Sequence, residues 1–533
     1  MGRITQLSEY NAHTAKRGPG GTTLFIEDVC GKNILIDCGA GFTGNEARDL
    51  YGYNKDHLRG MRIDLAICSH LHFDHAGKFP ELFSRYADDG IVIPEDTEVL
   101  MSEPTFYGLQ ISFSDSVGIW EKEIKRAQRD GREVARPPYT RGDVENFFKR
   151  VGVIGAPSEW TFTDFPGWRF WFDRSGHEPG AMSTFISPPE GANIIHTGDI
   201  KEATENPEED QPIVRGASWS NPLLNEFWEE SAKKGLVLIT EATNGSKKVP
   251  NFRTQAVRMV ERQFEAERAG AYATLFPSFA FNRSANNAMW LLRVSDELGH
   301  PLRVHVDGMA RKTFKHYMRL AENSSWASEY DKAAYAVMNQ YVEEGRIIFF
   351  GETEHDQDGR GHEAKQRSDM HREAVAKGTD PCGCSFSPII APSANMDKGF
   401  AVVHGQRIAP NRNSIISMTG HIFENTPTEE MVRSRVHNLR KGWTLKLGGQ
   451  DVPVACEVDM YNFSAHDGGD VLVERVRRLT DPPSRGGLGI PNVRVIWHHA
   501  DDENGMWFEA GVRSLDNPPA RVGPAWYLEP VEL

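Results

Sequence analysis

The stretch CSHLHFDHAG (68–77) follows directly on an apolar run and concentrates three histidines and one aspartate within six positions. Protonated imidazoles this close would repel one another, whereas a divalent metal ion binds neutral imidazole and ionised carboxylate together. Alternate side chains of an extended or turned segment point the same way, so His70 and His72 can hold one ion while Asp74 and His75 face a second. A histidine-rich loop without metal is the alternative, but the coincidence of four ligand-type side chains favours a metal site.

Two later strand ends carry further candidate ligands. His177 lies in GHEPGA and Asp199 lies in HTGDI, each after a β-rich run. A mononuclear site needs about three protein ligands and a dinuclear site needs more, and the carboxylate of Asp199 can bridge two ions. His196 shares the segment of Asp199 and fits a packed core histidine better. We therefore expect a metal site built at the ends of several strands.

The composition excludes some classes of function. Of the 533 residues, 39% are hydrophobic and 25% are charged, which is typical of a soluble globular protein. The net charge of −15 disfavours nonspecific coating of nucleic acid, although bound metals can still supply local positive charge. No apolar run approaches the roughly 18 residues of a membrane span, and the start has no apolar signal core. The six cysteines form no CxxC pair, so we expect reduced thiols, a cytoplasmic location and no membrane partner.

The order of the segments predicts an α/β protein. Short strands such as KNILIDC (32–38) and LVLITEATNG (236–245) end in polar residues, and EKEIKRAQRDGREV (121–134) is predicted as a helix. Past about residue 248, amphipathic helices and strands alternate in a βαβ rhythm, and strands ending in histidine return near the end. We divide the chain into three segments, residues 1–247, 248–440 and 441–533.

Two other patterns carry weaker predictions. CGAGFTG (38–44) has the glycine spacing of a dinucleotide-binding turn, but the helix expected after it is poor. We interpret its glycines as a loop that passes close under the histidine segment. His355, His362 and His371 lie in a highly polar stretch (355–378) that lacks the second histidine of a zincin helix. We predict a solvated surface loop with a helical end there.

Four motifs in chain order resemble those of the metallo-β-lactamase superfamily: Asp37 in ILIDCG, the HLHFDH block, His177 and Asp199. Later segments are similar to the β-CASP nucleases, the branch that includes ribonuclease J and the endonuclease of pre-mRNA 3′-end cleavage. These segments are LITEATNG (238–245), FPSFAFNRSANNAMWLL (276–292), RVHVDGMA (303–310), IIAPSANM (389–396), NSIISMTG (413–420), YNFSAHDGGD (461–470) and VIWHHADDENG (495–505). The resemblance covers most of the chain and implies a four-layer αββα metallo-β-lactamase fold with an inserted α/β β-CASP domain.

The resemblance also implies a mechanism. It implies hydrolysis of RNA phosphodiester bonds by a hydroxide held on two zinc ions, with manganese as the alternative, leaving a 5′-phosphate and a 3′-hydroxyl. Asp37 is expected to orient ligand histidines, and Asp74 is assigned to both the metals and the catalytic step. His466, held by Glu241, is expected to protonate the leaving oxygen. The implied metal ligands are His70, His72, Asp74, His75, His177, Asp199 and His499.

The last motif departs from the usual family pattern. It usually reads His-Gly-Glu, and here it reads His-Ala-Asp from His499, with His498 as a competing ligand. In the family a histidine at this motif is typical of RNA-directed members, whereas DNA-directed members carry valine. Ser464 and Arg283, from the FSAH and FNRSA stretches, are predicted to contact substrate.

RNA is therefore the expected partner, with single-stranded DNA as the alternative and a homodimer left open. Three other functions compete with a ribonuclease: a DNA nuclease of the same fold, a metal-bound scaffold subunit without activity, and a hydrolase of small esters or lactams. The retained ligands disfavour the scaffold, and an inserted domain disfavours the small-molecule hydrolase. Endonucleolytic and exonucleolytic action are both compatible with the sequence.

Overall fold

The computed structural model describes residues 2–7, 10–11, 16–17, 21–40, 55–133, 137–351, 362–436, 443–525 and 531–532. Their strands form two seven-stranded sheets, one six-stranded sheet and two two-stranded pairs. The pairs are Trp443–Leu447 with Gln450–Val454 and Tyr10–Asn11 with Lys16–Arg17.

Strands from distant parts of the chain lie side by side in each of the three large sheets. From one edge to the other, the first sheet contains Val531–Glu532, Arg3–Gln6, Leu24–Val29, Lys32–Ile36, Leu65–Ile67, Val99–Ser102 and Val151–Ile154. The second sheet contains Arg521–Pro524, Val493–His498, Leu236–Glu241, Asn193–His196, Met182–Ser187, Arg169–Arg174 and Ser158–Trp160. The six-stranded sheet, which we call the inserted sheet, contains Ile347–Phe349, Val304–Val306, Ser387–Ala391, Ala273–Pro277, Ile415–Met418 and Glu457–Met460.

Helices flank all three sheets. The α-helices are Lys55–Leu58, Phe73–Ala76, Phe79–Arg85, Glu103–Arg129, Arg141–Phe148, Asn225–Lys234, Phe252–Arg268, Arg283–Glu297, Met309–Asn323, Glu329–Glu343, His362–Ala376, Gly399–Ile408, Pro427–Val436, Gly469–Thr480 and Asp502–Arg513. Short 3₁₀ helices are Pro207–Glu209, Pro222–Leu224 and Pro483–Arg485. Within the described residues, no helix is both long and apolar enough to cross a membrane.

The two seven-stranded sheets pack face to face, and the alternation of side chains along each strand builds two cores. In the first sheet Ile34 and Ile36 enter the core shared with the second sheet, whereas Leu35 faces the outer helices. In the second sheet Ile239 enters the shared core and Leu238 faces outward, where it joins the core of the outer helices. Burying such a side chain stabilises the fold by about 1.5–3 kcal/mol. The predicted αββα layering of an α/β protein is therefore confirmed.

All the strand pairs of the inserted sheet are parallel among the described residues, and helices cover both of its faces. Leu275 and Ile389 share a core with Ile408 of the helix Gly399–Ile408, whereas Phe276 faces the opposite core. Its last strand, Glu457–Met460, pairs with Ile415–Met418 and comes from beyond residue 440. The division of the chain at residues 247 and 440 stays a prediction.

The parallel strands of both seven-stranded sheets end at one edge. Ile36 pairs with Ile67 in the first sheet, and Glu241 pairs with His498 in the second sheet. The residues that follow each pair therefore meet where the carboxyl ends of the strands converge, which is the usual place for a site in an α/β fold. Side chains from segments far apart in sequence meet at this edge.

The helix predicted over residues 121–134 begins at Glu103, so its predicted start was wrong. The Oγ atom of Ser102 accepts a hydrogen bond from the backbone N–H of Thr105, and Pro104 lies in the first turn, two features of a helix start. The first half of the helix includes Gly108, Ser112 and Ser114, whose modest helix propensity hid it from the sequence pattern. The helix ends at Arg129, and residues 134–136 lie outside the described part of the chain.

Candidate metal centre

The histidine block turns sharply after its strand. His70 and His72 follow the strand Leu65–Ile67 in irregular backbone, and the one-turn helix Phe73–Ala76 then carries Asp74 and His75. Gly39 passes under this turn, because a Cβ atom there would overlap the carbonyl oxygen of Asp74. The predicted role of the glycine loop is thus confirmed at Gly39, while residues 41–44 lie outside the described part of the chain.

A first group of ligand atoms comprises His70, His72, His177 and Asp199, all within 4.8 Å of one another. The Nδ1 atom of His72 lies 3.1 Å from the Nε2 atoms of both His70 and His177. The Oδ2 atom of Asp199 lies 3.6 Å from each of these two Nε2 atoms. The three rings and the carboxylate therefore point at one common volume.

A second group comprises Asp74, His75 and His499. The Nε2 atom of His499 lies 3.4 Å from the Oδ2 atom of Asp74, and the Nε2 atom of His75 lies 3.3 Å from the Oδ2 atom of Asp199. The Oδ1 atom of Asp199 lies 3.7 Å from the Nδ1 atom of His499. Asp199 thus contacts members of both groups, the position predicted for a bridging carboxylate.

Residues outside the two ligand groups also contact the rings of His75 and His177. The Nδ1 atom of His75 lies 2.7 Å from Asp37, whose carboxylate also accepts hydrogen bonds from the backbone N–H and hydroxyl of Ser69. His177 donates its Nδ1–H to the carbonyl oxygen of Ala465 at 2.9 Å. Such partners fix which ring nitrogen faces a metal. Asp37 thus occupies the place expected of an orienting carboxylate.

Asp37 and the candidate ligand His499 both adopt a left-handed backbone conformation. Asp37 has φ of 60° and His499 has φ of 53°. Residues other than glycine adopt this conformation at a cost of about 1–3 kcal/mol, and such strain clusters at functional sites. The surrounding sheet therefore holds both residues in conformations that the local chain disfavours.

The donor atoms fit divalent metal ions. The Nε2 atom of His75 and the Oδ1 atom of Asp199 are buried without a hydrogen-bond partner. Burial lowers the pKa of His70 and His177 well below the usual range and keeps these rings neutral, as metal ligation requires. Burial opposes charging of His499 too, but Asp199 and Asp74 raise its pKa to about 9. The carboxylates therefore attract positive charge, which divalent cations can supply.

Beside the two groups lies a histidine–carboxylate pair. The Nδ1 atom of His466 lies 2.7 Å from Glu241, and the Nε2 atom of His466 lies 3.9 Å from Asp199. Glu241 is fully buried at the end of its strand and also accepts the backbone N–H of Ile200. Burial disfavours the imidazolium form of His466, but Glu241 and Asp199 raise its pKa above the ordinary value.

The two candidate ligands of the last motif, His498 and His499, lie in different surroundings. His499 belongs to the second group and also to a further set of ligand atoms within 4.8 Å of one another, from Asp199, Glu241, His466 and His499. Its Nδ1 atom lies 3.0 Å from the hydroxyl of Thr243, which also contacts Glu241. The ring of His498 instead stacks on His196, with centroids 5.5 Å apart. His196 is fully buried, as the sequence predicts for a core histidine.

The two predicted substrate-binding residues lie in different surroundings. The Oγ atom of Ser464 accepts a hydrogen bond from the side chain of Asn244 at 2.9 Å and lies two residues before His466. Arg283 opens the helix Arg283–Glu297 and is 9% exposed, and burial lowers the pKa of its guanidinium to about 10. Its neighbour Asn282 donates to the carbonyl oxygen of His177 at 2.9 Å.

Sequence reasoning missed Glu178. This carboxylate is 1% exposed, its Oε2 atom lies 3.3 Å from the Nε2 atom of His72, and its Oε1 atom accepts the backbone N–H of Leu71 at 3.1 Å. Burial raises the pKa of Glu178 well above its ordinary range. The signal was its position directly after His177, since a ligand histidine and its neighbour share one strand end.

The chain is similar to known proteins over most of its length. Residues 17–234 match the Metallo-beta-lactamase superfamily. The probable RNase MJ4 of Methanocaldococcus jannaschii is 22% identical over 84% of this chain and 85% of its own length. Transcription termination factor FttA of the same organism is 24% identical over 90% of this chain and 65% of its own length. Endoribonuclease YSH1 of Gibberella zeae is 23% identical over 94% of this chain and 54% of its own length. The chain thus spans less than two thirds of the last two relatives.

Proposed function

Because residues 17–234 match the metallo-β-lactamase superfamily and most of the chain is similar to β-CASP ribonucleases, we propose that it is a metal-dependent ribonuclease. The proposed reaction is hydrolysis of RNA phosphodiester bonds at a dinuclear zinc site, with manganese as the alternative, leaving a 5′-phosphate and a 3′-hydroxyl. The observation that carries the proposal is Asp199, which contacts two groups of ligand-type side chains and also lies 3.9 Å from the ring of His466.

The proposed ligands divide between two positions. His70, His72 and His177 would hold one ion, and Asp74, His75 and His499 would hold the other, with Asp199 between them. Imidazole-rich sites with few carboxylates favour zinc over magnesium or calcium. Two such ions, when bound, supply an activated water and neutralise charge that develops on a phosphodiester.

The proton steps fall to residues of the chain itself. The hydrogen bond to His499 and the nearby His75 outweigh burial and lower the pKa of Asp74 to about 2, so its carboxylate is ionised and can accept a proton of the attacking water. The ribose 3′-oxygen is a poor leaving group and needs a proton. His466 is the proposed donor, since its Nε2 atom faces the cluster while Glu241 fixes its Nδ1 atom.

The test compares RNA and DNA of identical sequence, labelled at the 5′ end and internally, with chelated protein and with protein reloaded with zinc or manganese. The variants are His466→Ala and Glu241→Ala. His300 and Glu267 provide a matched control, because they form another histidine–glutamate pair, with His300 exposed and the same 2.7 Å separation. We expect cleavage of RNA that chelation abolishes, that both site variants lose with unchanged metal content, and that His300→Ala and Glu267→Ala retain.

Other results point to other functions. Preferential cleavage of DNA would replace the proposal with a DNA nuclease of the same fold. Metal-loaded protein that cuts neither polymer would leave a scaffold subunit or a small-molecule hydrolase. Internal fragments against released mononucleotides distinguish endonucleolytic from exonucleolytic action. A homodimer, single-stranded DNA as a second substrate and a cytoplasmic location stay predictions.

A further inference from the structure

Outside the candidate metal centre, the described residues contain one more cluster of ligand-type side chains. It lies at the inserted sheet and comprises His305 in the strand Val304–Val306, His371 in the helix His362–Ala376, and Asp380 and Cys382 in the loop that follows this helix. We propose that these four side chains, which we call the inserted-sheet cluster, bind a zinc ion. The site would be separate from the catalytic metals and would not depend on the proposed ribonuclease function.

The ligand atoms of the cluster lie at metal-site spacing. The Nε2 atom of His305 lies 3.1 Å from the Oδ2 atom of Asp380, and the Nε2 atom of His371 lies 3.2 Å from its Oδ1 atom. The Sγ atom of Cys382 lies 3.7 Å from the Nε2 atom of His371. A tetrahedral zinc site with bonds of about 2.0–2.3 Å places its ligand atoms about 3.3–3.7 Å apart. The observed separations need only small side-chain adjustments to meet that spacing.

Unsatisfied buried atoms provide a second, independent observation. Both ring nitrogens of His305 and the Oδ2 atom of Asp380 are buried without a hydrogen-bond partner. The Nε2 and Oδ2 atoms lie close together but are not aligned as a hydrogen bond. Buried polar groups in native proteins are almost always satisfied, and an ion is one recognised explanation for an exception. An ion placed between the two residues would satisfy the Nε2 atom of His305 and the Oδ2 atom of Asp380.

The identity and accessibility of the ligands favour zinc. Thiolate and imidazole are the ligands that zinc prefers, whereas magnesium and calcium prefer oxygen. His305 is fully buried and the side chain of Asp380 is 1% exposed, while Cys382 is exposed and leaves a path for the ion to enter. The nearby Cys384 is a different case, because its Sγ atom lies 3.8 Å from the guanidinium of Arg303.

The cluster would join three parts of the inserted domain. His305 belongs to a central strand, His371 belongs to the helix His362–Ala376, and the other two ligands follow in the loop. Arg372 of the same helix makes a second contact here, because it donates two hydrogen bonds to Asp307, which follows the strand Val304–Val306. The predicted helical end of this stretch is confirmed by the helix His362–Ala376, whereas the solvated position predicted for His371 was wrong, because its side chain is 11% exposed. The side chain of His362 and all of His355 lie outside the described part of the chain.

The test uses cobalt as a spectroscopic substitute for zinc in the full-length protein. Cobalt bound by a thiolate gives a near-ultraviolet charge-transfer band, which ligation by histidine and carboxylate alone does not give. The ligand groups of the candidate metal centre contain no cysteine among the described residues. We therefore expect the band in the parent protein, and we expect Cys382→Ser to abolish it and to remove about one equivalent of zinc per chain.

Control variants and a check of folding complete the test. Cys30 is also an exposed free cysteine, so Cys30→Ser should keep both the band and the zinc. Far-ultraviolet circular dichroism checks that Cys382→Ser folds, and His371→Ala provides a second removal of a ligand. Absence of the band in folded parent protein would overturn the proposal. Loss of the band in Cys384→Ser but not in Cys382→Ser would equally overturn the proposed ligand set.

Discussion

The Nδ1 atom of His466 lies 2.7 Å from the Oε2 atom of Glu241, and the two residues are 225 positions apart in sequence. Glu241 ends a strand of the second sheet, while His466 lies in the loop after the inserted sheet. The pair therefore forms only when both parts of the chain are folded together. A fully buried carboxylate behind the ring fixes its tautomer and leaves the Nε2 atom facing Asp199.

Replacing Glu241 by glutamine should slow RNA cleavage and change its pH dependence. Glu241 helps to raise the pKa of His466 against the opposing effect of burial, so the amide should lower that pKa. A step that needs protonated His466 is lost as the pH rises through its pKa, and in Glu241→Gln this loss should occur at lower pH. We expect kcat to fall about 100-fold or more, the usual contribution of a placed general acid. The pH–rate profile is the measurement.

An alkaline limb that stays in place in Glu241→Gln would contradict the assignment of His466 as the proton donor. The surface variant Glu267→Gln serves as the control, because its partner His300 has an exposed side chain. That variant should leave both the rate and the profile unchanged.

Replacing Asp37 by asparagine should weaken metal binding without removing a direct ligand. The carboxylate holds the Nδ1 atom of His75 at 2.7 Å and accepts two hydrogen bonds from Ser69. Loss of such an outer partner typically costs about 10–100-fold in metal affinity. Chelator competition measures this affinity, with Asp516→Asn at an exposed position as the control. Equal affinity in Asp37→Asn and the parent protein would show that His75 needs no orienting carboxylate.

Replacing Asp307 by asparagine should destabilise the inserted domain. Asp307 is fully buried, accepts two hydrogen bonds from Arg372 and lies 2.8 Å from the ring of His404. Removing one partner of a buried ion pair costs about 3–5 kcal/mol, because the other charge stays buried. Urea unfolding at neutral pH, followed by circular dichroism, measures the loss.

The stability lost in Asp307→Asn should depend on pH. Burial opposes ionisation of Asp307, but Arg372 and His404 hold its pKa well below the ordinary range. A depressed folded-state pKa gives stability that is fully present above the unfolded-state value of about 3.9 and is lost as the pH falls further. The difference in unfolding free energy between the parent protein and Asp307→Asn should therefore shrink below about pH 4. A constant difference across this range would contradict the ion pair.

Local patterns explain which parts of the site could be predicted from the sequence. His70, His72, Asp74 and His75 lie within one turn of chain after a strand, so their convergence follows from local geometry. The pairing of His466 with Glu241 came instead from family resemblance, because strand patterns do not say which distant loops meet.

The inserted-sheet cluster shows the limit of local patterns. His305 and His371 are 66 positions apart, and a polar helix such as His362–Ala376 looks solvated when only its own sequence is considered. Their meeting depends on how the helix packs on the inserted sheet, which is a tertiary relationship. The sequence marked Glu178 only by its position directly after His177, because nothing else in the local pattern shows that an acidic residue there is buried.

Two glycine substitutions should have opposite effects on the stability of the protein. Gly118 lies inside the helix Glu103–Arg129 with open space around it, so Gly118→Ala should stabilise the protein by about 0.5–1 kcal/mol through better helix propensity. Gly39 lies against the carbonyl oxygen of Asp74, which accepts the backbone N–H of Thr22 at 2.6 Å. Gly39→Ala must push this turn away and should cost about 1–3 kcal/mol or more.

The same displacement should reach the metal centre, because Asp74 and the adjacent His75 belong to the turn that Gly39 supports. We therefore expect Gly39→Ala to lower both the unfolding midpoint in urea and the affinity for zinc, whereas Gly118→Ala should raise the midpoint and leave zinc affinity unchanged. Zinc affinity that stays at the parent value in Gly39→Ala would show that the turn keeps its geometry without the close contact. A fall in zinc affinity in both variants would point to a general effect of stability rather than to this contact.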